Sequence, residues 1–205
     1  MLIKLDELIK KHQIPKCGVL HVGAHIGEEL VHYKREGWFP VYWIEGDNEV
    51  YKKLKENIKE EQHHYALNRL ISNKRENVTF NISNNKQSSS ILELGTHKKE
   101  HPEIFYTKKI KLQTTTIDLL QEENDITPCE FLVLDIQGAE LLALEGAEKY
   151  LKSVKYIYSE VNLKELYVGC ALLPQIDDFL NERGFTRVDT LINEHMWGDA
   201  FWIKI

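Results

Sequence analysis

The sequence predicts a three-layer α/β sandwich built on a seven-stranded parallel sheet, and three observations predict it. Short apolar segments alternate with amphipathic ones in a βαβαβ rhythm over residues 18–68, and the rhythm resumes at residue 131. A glycine-spaced turn, "GAHIG", follows the first apolar segment and leads into a helical pattern. At 205 residues the chain is long enough for one substantial core and short for two, so a single domain over 1–205 is expected.

The elements follow in chain order. In "MLIKLDELIKKHQIPKCG", Leu2, Leu5, Leu8 and Ile9 lie at helical spacing between lysines, which predicts an amphipathic helix within residues 1–16. The segment lacks the uninterrupted apolar stretch of a signal peptide. Gly18–Val22 reads as a buried strand and Glu28–Glu36 as a helix ended by Gly37. A strand over Val41–Glu45, a helix over 49–60 and a strand over His64–Asn68 complete the first half. Such an order implies right-handed crossovers with helices on both faces of the sheet.

Residues 71–113 break the rhythm. "NVTFNIS" alternates like an exposed strand, and the polar stretch after it is too long for a turn, so residues 83–108 are expected to form a loop or lid over the site. Regular patterning then returns as a strand in "FLVLDI", a helix in "GAELLALEGAEKYL" and a strand in "VKYIYSEV". "LPQIDDFLNERGF" carries Pro174 near a helix start and Gly184 at its end, and "FTRVDT" and "DAFWIKI" read as closing strands. Tyr33, Trp38, Tyr42, Tyr156, Tyr158 and Trp202 fall at core positions of these patterns.

Composition narrows the function classes. With 42% hydrophobic and 28% charged residues, the chain has the make-up of a soluble enzyme or binding domain. Its net charge of -6 disfavours non-specific nucleic-acid binding, and no segment approaches the roughly 20 apolar residues of a membrane span. Cys17, Cys129 and Cys170 form no CxxC pair, which suggests reduced thiols in a cytoplasmic protein and neither a zinc ribbon nor a disulfide framework.

The candidate ligand site begins at the glycine turn. In an open parallel sheet, ligands bind beyond the C-terminal strand ends. Gly23 and Gly27 there permit tight bending, and the next helix offers free N–H groups. Glu45 ends the second strand, close to the roughly 20-residue spacing of an acid that binds ribose hydroxyls. Together they point to an adenosine-containing cofactor. The spacing is not GxGxxG, which disfavours a nicotinamide dinucleotide; S-adenosyl-L-methionine carries no phosphate and needs no such turn.

"HVGAHIGEE", "WIEGDNEVYKKLKENI", "NRLISN", "QSSSIL", "TTTIDLL" and above all "LDIQGAELLALEGAEKYL" resemble the FkbM-type family of S-adenosylmethionine-dependent methyltransferases, from about Gly18 to Phe185. The resemblance implies the class I methyltransferase (Rossmann-like) fold, a seven-stranded, mostly parallel sheet with its last strand antiparallel. It implies S-adenosyl-L-methionine as cofactor and a hydroxyl of a sugar, glycan or other small molecule as acceptor. It places the cofactor against His21, Gly23, Ala24, His25 and Gly27 of the first turn. Glu45, Gly46, Ser72, Asp135 and Gln137 would complete that set. His21 stands where the family more often carries Asp, which leaves Glu28, Glu29 or Asp135 to face the cofactor's amino group.

A hydroxyl acceptor needs its proton removed. Asp135, at the end of the fourth strand, and His97, in the long loop, are the candidate catalytic residues; His97 fits a base working near neutral pH. His97 and His101 also have HxxxH spacing, but no HExxH glutamate accompanies them, and exposed loop histidines are the plain alternative. Asp135, Glu160 and Asn162 would suit a hard cation, although acids and amides are common at strand ends without one, and no metal is expected. Glu140 reads as a helix-start acid, and Ser88–Ser90 as loop residues able to touch a ligand. The expected function is an S-adenosylmethionine-dependent methyltransferase, with a non-catalytic binding module of the same fold as the alternative.

Overall fold

A computed structural model describes residues 1–205. Ten strands form: β1 Val19–Val22, β2 Val41–Glu45, β3 His64–Asn68, β4 Leu70–Ile71, β5 Asn77–Ser83, β6 Tyr106–Thr115, β7 Phe131–Leu134, β8 Tyr156–Asn162, β9 Phe185–Ile192 and β10 Trp197–Lys204. The helices are α1 Leu5–His12, α2 Leu30–Glu36, α3 Asn48–Asn57, α4 His97–Glu100, α5 Ile117–Glu122, α6 Glu140–Glu145 and α7 Leu173–Asn181.

Seven strands make the main sheet in the order β3-β2-β1-β7-β8-β10-β9. Its first five are parallel, and β10 runs antiparallel to both β8 and β9. The order reverses between β1 and β7, so the strand ends there open a crevice for a ligand.

Each central strand buries both of its faces. Along "FLVL" of β7, Leu132 and Leu134 join a 25-residue core that includes Ile117, Leu120, Ala143, Leu144, Ile176 and Leu180 from α5, α6 and α7. Phe131 and Val133 point the other way, into a 16-residue core with Leu5, Leu8, Tyr33 and Leu54 from α1, α2 and α3. This period-2 alternation, apolar on both sides, is what a helix-covered parallel strand requires. The six aromatic residues expected in the core all pack there, Tyr156 partly exposed.

The departures from expectation have local causes. The helix expected over 138–151 stops after Glu145; at Gly146 the backbone passes so close to Ser72 that an added Cβ would lie 2.5 Å from its carbonyl oxygen. The region 71–113 builds a second sheet, β4-β6-β5, in which the ten-residue β6 pairs antiparallel with β5. Its lysines, Lys108, Lys109 and Lys111, stay exposed, so hydrophobic alternation does not mark it. α5 was likewise not expected; Thr116 caps it, its hydroxyl oxygen accepting from Leu119 N at 3.0 Å. No helix is long and apolar enough to cross a membrane.

Candidate active site

A cavity of about 610 Å³ opens at the C-terminal ends of β1, β2, β7 and β8. Its first wall is the glycine turn. Gly23 (φ +83°) and Ala24 donate their N–H groups to the carbonyl of Ile44, which locks the turn to β2. His25 adopts φ +45° and donates its N–H to Glu45 Oε2 at 3.0 Å, while Asp47 N donates to Glu45 Oε1 at 2.7 Å. The Glu45 carboxyl therefore ties two loops together at the cavity wall. Burial pushes its pKa up to about 7, against the opposing pull of those two N–H groups. Ile44, Gly46, Leu70, Ile71 and Phe80 supply the neighbouring apolar wall, where a Cβ on Gly46 would press to 2.9 Å from Leu70.

His21 reaches the cavity from below. Its ring stacks on Trp43 with centroids 5.4 Å apart, and Nδ1 lies 3.1 Å from the Tyr33 hydroxyl. Burial drags its pKa down to about 4, so the imidazole is neutral and carries no charge toward the cavity. The acidic character comes from other residues. Glu28, Glu29, Asp135 and Glu160 line the wall, with His25 Nδ1 2.6 Å from Glu28 Oε1.

Asp135 lies just past β7 and Glu160 near the end of β8, with Gln137 between them. The Gln137 amide nitrogen donates to Asp135 Oδ1 at 2.8 Å and sits 3.2 Å from both Glu160 oxygens. The same side chain accepts from the Tyr167 hydroxyl at 2.5 Å, and the main-chain carbonyl of Gln137 accepts from Ser90 Oγ at 2.7 Å. Burial, with Asp135 and Glu140 nearby, holds the Glu160 carboxyl well above the usual carboxylate range. An amide thus stands between the two acids weighed as cation ligands. Asn162, next on that face, is buried with both amide atoms unpartnered. Glu140 is also buried: its carboxyl accepts from Ile136 N and Gly138 N and closes the turn below the site.

The segment 83–108 contributes part of the cavity lining. Residues 85–91 line it, and Lys86 Nζ reaches across to Asp47 Oδ2 at 3.2 Å and Glu49 Oε2 at 3.0 Å. At the far end, His97, His101, Glu103, Ile104, Tyr167 and Trp197 complete the wall. His97 is only 6% exposed, and its Nδ1 has no hydrogen-bond partner.

Eight of the ten residues expected around the cofactor line this cavity: His21, Gly23, Ala24, His25, Glu45, Gly46, Asp135 and Gln137. Ser72 and Gly27 do not. Ser72 is buried behind the wall, its N–H donating to Thr115 O, because β4 pairs with β6 and turns it away. Gly27 faces the core instead, where a Cβ would meet Leu54 at 3.0 Å. His101, Tyr167 and Trp197 were not expected on the wall; the two aromatic residues belong to segments whose local pattern carries no ligand signal.

The wall fits S-adenosyl-L-methionine. It offers a buried acid beside an apolar surface for the nucleoside, and an acid-rich centre suited to the ammonium and sulfonium cations.

Comparison with known proteins agrees. The sequence model of the methyltransferase FkbM domain matches residues 21–187. The 2-O-methyltransferase NoeI of Sinorhizobium fredii is 24% identical over 182 residues, covering 85% of this chain and 75% of the relative. Among solved structures, magnesium protoporphyrin IX methyltransferase from Synechocystis with bound S-adenosylmethionine gives a TM-score of 0.56 at 10% identity, covering 98% of this chain and 76% of that one. Fibrillarin from Aeropyrum pernix, also with S-adenosyl-L-methionine, gives 0.53 at 10% identity, covering 92% and 67%. At such identities the two structures share the fold with this chain. With the family matched over most of its length, the chain belongs to the FkbM methyltransferases and is an S-adenosylmethionine-dependent methyltransferase.

Proposed function

We propose that the chain methylates a hydroxyl oxygen of a sugar, glycan or other small hydroxylated molecule. The observation that carries this reading is the buried imidazole of His97 on the cavity wall, a side chain able to accept the proton of an O–H group. The name of the Sinorhizobium fredii relative, a 2-O-methyltransferase, supports it. Three free, buried cysteines support a reducing compartment, the cytoplasm, and the net charge of -6 favours a small acceptor over a nucleic acid.

In this reading Glu45 takes the ribose hydroxyls, Ile44, Leu70, Ile71 and Phe80 cover the adenine, and Glu29 and Asp135 face the amino-acid end. The cofactor, when bound, supplies an electrophilic methyl group. The chain's residues orient the acceptor, exclude water beneath the loop that Lys86 anchors, and accept the proton at the His97 imidazole or the Asp135 carboxylate. Gln137 fixes the Asp135 carboxylate in place.

The test is mass analysis of products after incubation with methyl-labelled cofactor and a panel of glycans and small alcohols. Labelled methyl on an acceptor oxygen is the expected result. Tight cofactor binding by calorimetry with no transfer to any hydroxyl would leave a binding module instead.

A further inference from the structure

The far end of the cavity holds three imidazoles in file. His97 faces the cavity; its ring centroid lies 5.0 Å from that of His101, which lies 4.7 Å from that of His195. Two come from one segment, α4 and the residue just after it, and the third from the turn between β9 and β10. His195 Nδ1 meets Glu100 Oε2 at 3.1 Å, and Nε2 lies 3.7 Å from Glu194 Oε1. Exposure rises along the file. His97 is buried, the His101 side chain is 26% exposed, the His195 and Glu100 side chains are each 33% exposed, and Glu194 is open to water. The row therefore runs from a buried imidazole on the cavity wall to solvent.

Methyl transfer to a hydroxyl creates a disposal problem. For each O–C bond formed, the S–C bond breaks with its electron pair going to sulfur, and one O–H bond gives up its proton. That proton is released in a cavity already walled by carboxyls that burial keeps from ionising readily. We propose that His97, His101 and His195 form a proton-exit file, in which His97 takes the acceptor's proton and the two outer histidines deliver it to Glu100 and water. The proposal rests on the hydroxyl-acceptor reading above. His97 is the catalytic residue; His101 and His195 act through it.

The surroundings suit the task. From the file's own segment, Glu103 lies 3.6 Å from His101 Nδ1. Tyr167, from the loop after β8, packs on His97 with centroids 5.4 Å apart, and Lys164 of that loop acts on Glu100. Burial and the neighbouring His101 both lower the His97 pKa, so a proton taken inside moves outward readily.

The experiment has two arms on the full chain. In the first, histidine side-chain NMR follows the imidazole titrations with the demethylated cofactor product bound. His101→Asn is expected to raise the His97 midpoint, and His195→Asn to shift that of His101, with thermal midpoint and cofactor affinity unchanged. In the second, labelled-methyl transfer is measured against pH on the acceptor panel. His97→Asn is expected to lose about 10²–10⁴-fold in kcat. His101→Ala should lose roughly tenfold and recover with added imidazole, as a missing proton carrier does and a packing defect does not. Independent titrations, or a His101→Ala defect that imidazole leaves untouched while wild-type transfer proceeds, would overturn the file and leave the hydroxyl reading standing. Coupled titrations with no transfer to any hydroxyl would remove that reading and the proton task with it.

Discussion

Glu45 shows how a single side chain serves fold and ligand together. Both of its oxygens already accept backbone N–H groups, from His25 and Asp47, yet it remains on the cavity wall. Glu45→Ala is expected to weaken S-adenosyl-L-methionine binding by about 1–3 kcal/mol in calorimetry, through the lost acceptor and the loosened loops. Unchanged affinity would remove Glu45 from the site. His21 yields a pH prediction. Its pKa is about 4 in the folded chain against an ordinary 6.5, so below pH 6.5 the unfolded chain takes a proton that the folded one refuses. The stabilisation is complete above that pH and fades as the pH falls toward 4. Glu45 and Glu140 act oppositely, since their raised pKa values make stability fall as the pH rises from about 4.5 to 7. A comparison with His21→Gln isolates the histidine. The wild-type advantage over the variant in denaturant unfolding should shrink by about 3 kcal/mol between pH 7 and pH 4.

At the scale of elements, the first turn owes its glycine to packing as well as to ligand approach. At φ +83° a Cβ on Gly23 would sit 1.8 Å from the Asp135 carbonyl oxygen, because β1 and β7 are neighbours in the sheet. Gly23→Ala is expected to destabilise the fold by about 3 kcal/mol or more in urea unfolding, before any ligand is considered. Gly169 has a similar φ, +76°, with nothing within 4 Å of its Cβ, so Gly169→Ala should cost only about 1 kcal/mol. Equal losses at the two positions would mean that backbone strain and not collision sets the requirement. The loop over residues 84–105 is an element of another kind. It is held by side-chain ties, Lys86 to Asp47 and Glu49 and Ser90 to the Gln137 carbonyl, by main-chain bonds of Ser90 to Asn81 and of Gly95, Thr96 and His97 to Glu165 and Leu166, and by Leu94 packed on Leu166 and Tyr167.

For the whole molecule, cofactor binding and stability are linked, because the cavity wall is assembled from the ends of four main-sheet strands and the loop above them. S-adenosyl-L-methionine at a hundredfold excess over its Kd should add about 2.7 kcal/mol. In a chain of this size that raises the Tm by about 5–10 °C in a thermal melt. The demethylated product should also raise it, and a nicotinamide dinucleotide should leave it in place. An unmoved melting curve at saturating S-adenosyl-L-methionine would contradict the assembled site.

The sequence by itself determined the main sheet and its crossovers, and it offered two cavity-wall features on neighbouring strands, the glycine turn and Glu45. Those are set by local periodicity and by a fixed strand-to-strand spacing, which can be read without knowing what packs on what. It also offered two candidate bases, Asp135 at a strand end and His97 in a polar stretch too long to be a turn. Other features depended on contacts between distant residues. β6 could not be read because its lysines mask the alternation and its pairing with β5 spans a long loop. That His21 is a neutral core residue follows only from Trp43 and Tyr33 closing around it. The approach of His195 to His101, across more than 90 positions of chain, is likewise a product of the tertiary fold. Local pattern fixes which backbone forms; long-range packing decides which side chains share a cavity, which lose their charge, and which are left with an unpartnered nitrogen.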